Sequence, residues 1–376
     1  DAMSDARVLP IVTQHDFCAL PWFKLPVDGP SEETTGIRLA DQHVVYSRSH
    51  FNQGIGTKEL HLLNLETCID AQQTSGARVW APFKRNFEVV WEDFASPTPQ
   101  SGVGCSDLVL LDLQSQRMHT VPLTTGFENS PVLTENLAFF LASNGCEWGA
   151  RSALIQLDRA TLEVTELAPT DALVESFELS ERYLVWAAYV QDPDPESQGR
   201  TVFYKDLETG EVTAVEASKP RLQYHVCTHG DFILWEGGDV YLEPPSHLML
   251  YHIPTGDSTI ITELEGTNPL GDVHGRVVAL STTHYRTDGQ LTFWPSDVAL
   301  YDIDSEVMRR VTVQSGYLRA MRLSDQHLLV AEFTGPSPQS WNWYLLDLRQ
   351  LGLVDEEGHV LEGEPVFDPS EPPGIR

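Results

Sequence analysis

A short apolar run that ends in a hydrophobic–hydrophobic–Asp–hydrophobic step, followed by a turn, recurs seven times along this chain of 376 residues. The copies are Leu62-Leu63-Asn64-Leu65, Leu110-Leu111-Asp112-Leu113, Ile155-Gln156-Leu157-Asp158, Tyr204-Lys205-Asp206-Leu207, Leu250-Tyr251-His252-Ile253, Leu300-Tyr301-Asp302-Ile303 and Leu345-Leu346-Asp347-Leu348. With residues 64, 112, 156, 206, 252, 302 and 347 taken as equivalent, the steps are 48, 44, 50, 46, 50 and 45 residues. A strand-built unit of that length cannot bury its apolar face alone and must stack against its neighbours. The period predicts an all-β fold: a seven-bladed β-propeller of four-stranded antiparallel blades.

Within each repeat an inner strand leads to a tight polar turn, such as His229-Gly230-Asp231 or Ser324-Asp325-Gln326. A second strand rich in β-branched and aromatic residues follows, as in Val89-Val90-Trp91, Leu184-Val185-Trp186 and Ile233-Leu234-Trp235. These runs are too short for buried helices. A long variable loop then precedes the third strand with its recurring Asp, and a turn leads to an outer strand such as Val212–Val215. The Trp and Phe residues hold a fixed place in the repeat, which assigns them to packing between blades. The recurring Asp is expected to accept turn amides.

The seventh repeat has no obvious outer strand after residue 348. Residues 7–13 (Arg-Val-Leu-Pro-Ile-Val-Thr) match the outer strand at 117–124, so they are expected to complete blade seven, with 359–363 as the alternative. The expected layout is an N-terminal segment over 1–30, the propeller over 31–350, and a polar tail over 351–376, rich in Pro and Glu from 364 onward.

The repeat, with its Val-Val-Trp strand and its Tyr204-Lys205-Asp206-Leu207-Glu208-Thr209-Gly210-Glu211 hairpin, resembles the blades of TolB-like (WD40-like) propellers over nearly the whole chain. The resemblance implies the fold and says little about activity. Gln156 and His252 at the Asp position depart from it, as does the lack of Trp in blades three, six and seven.

Acidic residues outnumber basic ones 55 to 24, a formal charge of −31. Such a surface repels nucleic acid and anionic membranes, and no apolar run reaches the roughly 18–20 residues of a membrane helix. The opening Asp1-Ala2-Met3 reads as a mature chain from which a signal peptide has gone. That implies a secreted, periplasmic or cell-surface protein. Five cysteines fit an oxidising compartment, with Cys105–Cys146 and Cys18–Cys68 as the expected disulfides and Cys227 as a free buried thiol.

Function in such a fold belongs to the long loops and the channel-facing starts of the inner strands. The loops carry exposed aromatics, among them Trp148, Tyr285 and Trp294, together with His284. The inner-strand starts align as Thr35, Trp80, Asn129, Glu175, Tyr224, Pro269 and Arg319, with Arg221, His225 and Arg322 nearby. Trp80, Asn129, Glu175, Tyr224, His284, Tyr285, Trp294 and Trp148 are therefore the candidate ligand-binding residues. Asp192, Asp194 and Glu196 share one loop that could accept Ca²⁺, although prolines between them favour a solvated loop.

No nucleophile elbow, zinc-protease helix or phosphate loop is present. The leading expectation is a non-catalytic, extracytoplasmic module that presents an aromatic-rich loop face to a glycan or protein partner. The alternative, by analogy with uronate lyases of this fold, is β-elimination. There His225 or Tyr224 would be the base, and Arg319, Arg322, Arg221 or a metal would neutralise the uronate carboxylate.

Overall fold

The computed structural model describes residues 10–25, 37–40, 42–52, 55–74, 79–94, 106–121, 127–143, 152–169, 172–174, 176–190, 199–218, 222–238, 246–264, 271–283, 296–313, 318–333 and 341–370. Seven antiparallel sheets hold most of them, and the helical elements among the described residues include short 3-10 turns such as Phe17–Ala19 and Glu216–Ser218. The fold is the seven-bladed β-propeller expected from the repeat. The chain divides into two compact units, one of Asp1–Cys18 and Asp28–Val174, the other of Ala19–Val27 and Glu175–Arg376.

The first unit holds blades one to three. Blade two runs Val79–Arg85, Glu88–Phe94, Ser106–Asp112 and Arg117–Val121 from inner to outer strand. Blade three repeats that order with Phe127–Leu133, Leu137–Ser143, Ser152–Asp158 and Val164–Ala168. In blade one, His43–Asn52 and Ile55–Asn64 pair along ten residues to Asn52 opposite Ile55. The long loop expected between the second and third strands is therefore, in blade one, mostly extended hairpin.

Blade one also has a fifth strand. Ile11–Gln14 pairs antiparallel with Ile69–Gln72 on its outer edge, and the Cys18–Cys68 disulfide fastens the segment that follows. The expected assignment of residues 7–13 to blade seven is thus corrected. That role falls to Trp22–Lys24, which pairs with Trp341–Asp347 in the second unit. Burial explains the choice: Trp22, Phe23 and Leu25 are core residues, whereas Ile11–Gln14 is exposed throughout. The crosslink closes a loop of about 50 residues. Reduction is expected to lower the stability of the first unit by about 2–4 kcal/mol, read by denaturant unfolding with and without reductant. Identical midpoints would contradict this.

The second unit holds blades four to seven. Blade five runs Leu222–His229, Phe232–Gly238, Ser246–His252 and Asp257–Leu264. Blade six runs Gly271–His274, Val277–Thr283, Ser296–Asp302 and Met308–Arg310. Blade seven runs Leu318–Leu323, His327–Phe333, Trp341–Asp347 and Trp22–Lys24.

The fixed aromatics behave as repeat positions. Trp91 and Trp235 are fully buried. Trp91 packs with residues of blades one and two, and Trp235 with residues of blades four and five. The turn carboxylates are likewise structural. Asp112 Oδ1 accepts the amides of Gln114 and Ser115, and Asp302 and Asp347 repeat the pattern. In blade three the same work is done by Asp158, whose Oδ1 accepts the amides of Ala160 and Thr161. Asp158, not Gln156, is the equivalent residue, and the two flanking steps become 46 and 48 residues.

The segment after blade seven is no polar tail as far as residue 370. Leu353, Val354, Val360 and Phe367 are buried in one cluster with blades six and seven. Residues 366–367 exchange backbone hydrogen bonds with Val311 and Val313, covering the outer edge of blade six. The Pro- and Glu-rich average of this stretch hides four well-spaced apolar residues. The alternative outer strand at 359–363 forms only an isolated bridge, Val354 to Val360.

Candidate functional site

The inner strands carry a recurring irregularity that positions the candidate residues. Trp80, Asn129, Tyr224 and Arg319 pair with Glu92, Leu141, Glu236 and Ala331, the same rung of their respective blades. Within the few residues that follow this rung each of these four inner strands takes up one extra residue in a bulge, in blade seven between Ala320 and Arg322. A bulge releases an amide from the ladder and turns a side chain out of the pleat. The freed amides are taken by the neighbouring blade. Ser130 N–H donates to Glu92 Oε1 at 2.6 Å, Val226 N–H to Ser176 Oγ at 3.3 Å, and Ala320 N–H to Ser281 Oγ at 2.9 Å.

Two bulge residues sit in the left-handed region, Ser130 at φ 54° and His225 at φ 45°. Blades three and five share this backbone conformation, so it is not peculiar to His225. The particular feature is the side chain that it presents. Blade five places an imidazole where blade three places a hydroxyl, and His225 is exposed.

Around His225 stand two cations of the same unit. Burial among neighbouring groups holds the imidazole below its ordinary pKa, and Arg319 and Arg200 add to that effect. Arg319 projects from the rung before the bulge of blade seven with its guanidinium 5.5 Å from the centroid of Trp341, a cation–π brace. Trp341 is itself fixed edge-on by Phe333 at 5.4 Å. Arg200 opens the third strand of blade four, paired with Tyr189. Sequence reasoning passed over Arg200 because the inner strands alone were aligned.

The same unit holds an ion network with little exposure. Arg322 of blade seven reaches Glu178 of blade four at 3.0 Å and Asp272 of blade six at 3.8 Å. Asp272 also accepts the amides of Leu323 at 2.7 Å and Val273 at 3.1 Å. Burial pushes the Asp272 carboxyl up against the pull of Arg322, while the two carboxylates keep the guanidinium firmly charged. Arg322 is therefore committed to holding blades four, six and seven together.

The remaining candidates divide by position. The backbones of Trp80, Asn129 and Tyr224 occupy equivalent inner-strand rungs. Trp148, Glu175, Asp192, Asp194, Glu196, Arg221, His284, Tyr285 and Trp294 lie outside the described residues, as do Cys105 and Cys146. Cys227 is a free buried thiol and donates to the Gly271 carbonyl at 3.2 Å. Among the described residues no three His, Cys, Asp or Glu side chains are placed to hold a metal ion.

A second histidine group occupies the tight-turn end of blades five to seven. The rings of His229 and His274 lie 3.7 Å apart. Gly275 N–H donates to His229 Nδ1 at 2.9 Å, and His274 Nε2 meets Asp325 at 3.0 Å. Burial and the adjacent His274 depress the pKa of His229 to about 4. The unfolded chain takes up a proton near pH 6.5 that the folded chain refuses until about pH 4. This contribution is complete above pH 6.5 and is lost as the pH falls towards 4. His229→Gln, whose amide oxygen can accept from Gly275, is expected to flatten the fall in melting temperature across that window. An unchanged slope would contradict the assignment.

No known family profile matches the chain, and no curated protein matches it in sequence. Solved structures do match in fold. An acylaminoacyl peptidase from Pyrococcus horikoshii aligns at 14% identity with a TM-score of 0.59, over 84% of this chain and 51% of the peptidase. The chain thus spans about half the length of that enzyme. The β-propeller domain of the trilobed protease from Pyrococcus furiosus aligns at 12% identity and 0.57, over 82% and 94%. An oligogalacturonate lyase from Vibrio parahaemolyticus aligns at 10% identity and 0.56, over 90% of this chain and 98% of that one. At such identities the likeness is one of fold.

Proposed function

We propose that the protein is an extracytoplasmic binding module that receives a glycan or protein partner at the surface around His225. The observation that carries this reading is the exposed imidazole of His225 on an inner-strand bulge that in blade three carries Ser130 and in blade seven Ala320. Arg319 and Arg200 act on it as nearby positive charges. Rigid scaffolds with a few polar groups at a concave surface are the usual form of a binding site. The Cys18–Cys68 disulfide supports an oxidising compartment. Among the described residues no helix is long and apolar enough to cross a membrane. The test is retention of a ligand on a glycan array, or of a partner in a pull-down, by the intact protein. Failure to retain either would count against the module.

A second reading is favoured by one property of the same residue. An imidazole kept neutral beside two guanidinium groups is suited to remove the proton α to a uronate carboxylate while the arginines hold that carboxylate. The alignment with an oligogalacturonate lyase over most of both chains raises this reading by fold analogy only. Turnover of uronans would appear as absorbance from the unsaturated product near ~235 nm, the region of conjugated acids. A folded sample giving no signal on several uronans would dismiss the lyase.

A further inference from the structure

Blade one carries one strand more than the other six. Ile11–Gln14 lies outside Ile69–Gln72 and is exposed throughout, so core burial does not account for its being fastened there. Yet the Cys18–Cys68 disulfide holds the segment that follows, and Gln14 Nε2 donates to the Thr67 carbonyl at 2.8 Å. In the same ladder His15 N–H donates to the Cys68 carbonyl at 3.0 Å. Hydrogen-bonded and non-bonded pairs alternate along an antiparallel ladder, so Ile11 and Thr13 bond towards Ile69–Gln72. Val12 and Gln14 therefore direct their N–H and C=O groups to the open edge, where no other described strand pairs. The remaining outer edges are guarded against strand pairing. Arg117, Glu166, Asp257 and Lys24 stand exposed on those of blades two, three, five and seven. Blade four offers only three residues, and residues 366–367 cover the edge of blade six. Ile11–Gln14 has no charged residue, and Ile11 and Val12 are 64% and 57% exposed, on opposite faces of the strand.

We propose that the open edge of Ile11–Gln14 is a docking site for an extended segment of a partner protein, which joins blade one as a further strand. The main-chain groups of Val12 and Gln14 set the register, and Ile11 and Val12 offer an apolar contact on each face, the usual terms of strand addition. The disulfide holds the edge in place before the partner arrives, which lowers the ordering cost of binding. Charge selects the occupant. Asp16 is exposed at the Gln14 end of the strand, as is Glu66 beside the Thr67 that Gln14 binds. The fitting segment alternates β-branched residues and carries Lys or Arg where it passes Gln14. A second copy of this chain would instead bring another charge of −31 to the contact. The site lies in the first unit and does not rest on the reading of His225, which belongs to the second.

The experiment adds a capped peptide, Val-Thr-Val-Thr-Lys-Lys, to the intact protein and follows amide hydrogen exchange by NMR. In the free protein the amides of Ile11 and Thr13 are protected, and those of Val12 and Gln14 exchange freely. The peptide is expected to slow exchange at Val12 and Gln14 by about tenfold or more and to leave Ile11 and Thr13 unchanged. A fully N-methylated copy of the peptide, whose backbone cannot donate, should bind about tenfold more weakly or worse, as should a copy ending in Glu-Glu. Val12→Pro deletes an outward N–H and spares the bonds to Ile69–Gln72, so it too should weaken binding about tenfold. Equal binding of the plain and N-methylated peptides overturns the proposal on the wild-type protein alone, even where the variant fails to fold. Exchange at Val12 and Gln14 that the peptide leaves unchanged overturns it as well. Protection of these two amides that grows with protein concentration, without peptide, would assign the edge to a second copy. Their protection in the dilute monomer would mean that the chain covers the edge itself. Either result overturns the partner assignment and leaves the test of His225 untouched.

Discussion

Replacing Arg322 with Ala is expected to cost the second unit about 3 kcal/mol or more of stability. The substitution leaves Glu178 and Asp272 as uncompensated carboxylates in the interior, and that penalty exceeds the value of the lost ion pair. Domains of ordinary stability hold only about 5–15 kcal/mol in reserve, so the denaturation midpoint should fall steeply. The physical cause can be separated from simple loss of packing. Arg322→Met combined with Glu178→Gln and Asp272→Asn removes the charges together, and it should recover much of the loss. A single Arg322→Ala variant within about 1 kcal/mol of the parent would show the network to be solvated and dispensable.

The second large effect concerns the segment after blade seven. Phe367 is fully buried and packs edge-on to Trp22 at 5.1 Å and to Tyr344 at 5.4 Å. Trp22 belongs to the three-residue strand that completes blade seven, too short to hold by its hydrogen bonds alone. Arg309 binds the same segment from below, donating to the carbonyls of Leu361 and Glu364, each at 3.1 Å, and to that of Gly352. Asp302 accepts Val360 N–H at 3.0 Å. Phe367→Ala is expected to cost about 3–5 kcal/mol and to raise hydrogen exchange in both Trp22–Lys24 and Trp341–Asp347. Protection of these strands unaffected by the substitution would show that the C-terminal segment merely rests on the blades.

These two features mark where sequence reasoning stopped. The blade count was legible because every repeat spends the same residues on the same tasks. A Trp or Phe goes between blades, an Asp accepts turn amides, and β-branched runs form the second strand. The equivalence of Trp80, Asn129, Tyr224 and Arg319 was also legible, since the Trp-position strand fixes the rung opposite each. The choice of Trp22–Lys24 over residues 7–13 was not. A strand of three residues carries no readable alternation, and its selection depends on a pocket made by Tyr344 and Phe367 from the far end of the chain. Arg200 and the role of Arg322 were hidden for a similar reason. Whether an arginine is paired is set by blades four, six and seven together, and no local pattern records it.

The central claim is that blade five departs from the repeat at His225 in order to bind. His225→Gly tests it with least disturbance, because Gly accepts the left-handed backbone at φ 45° and removes only the imidazole. Wild type and His225→Gly should be compared for retention of the same glycan or partner, with matched denaturation curves to show equal folding. The expected result is equal stability with retention lost or sharply reduced. Equal retention by two equally folded proteins would contradict the claim and leave His225 as an ornament of the bulge.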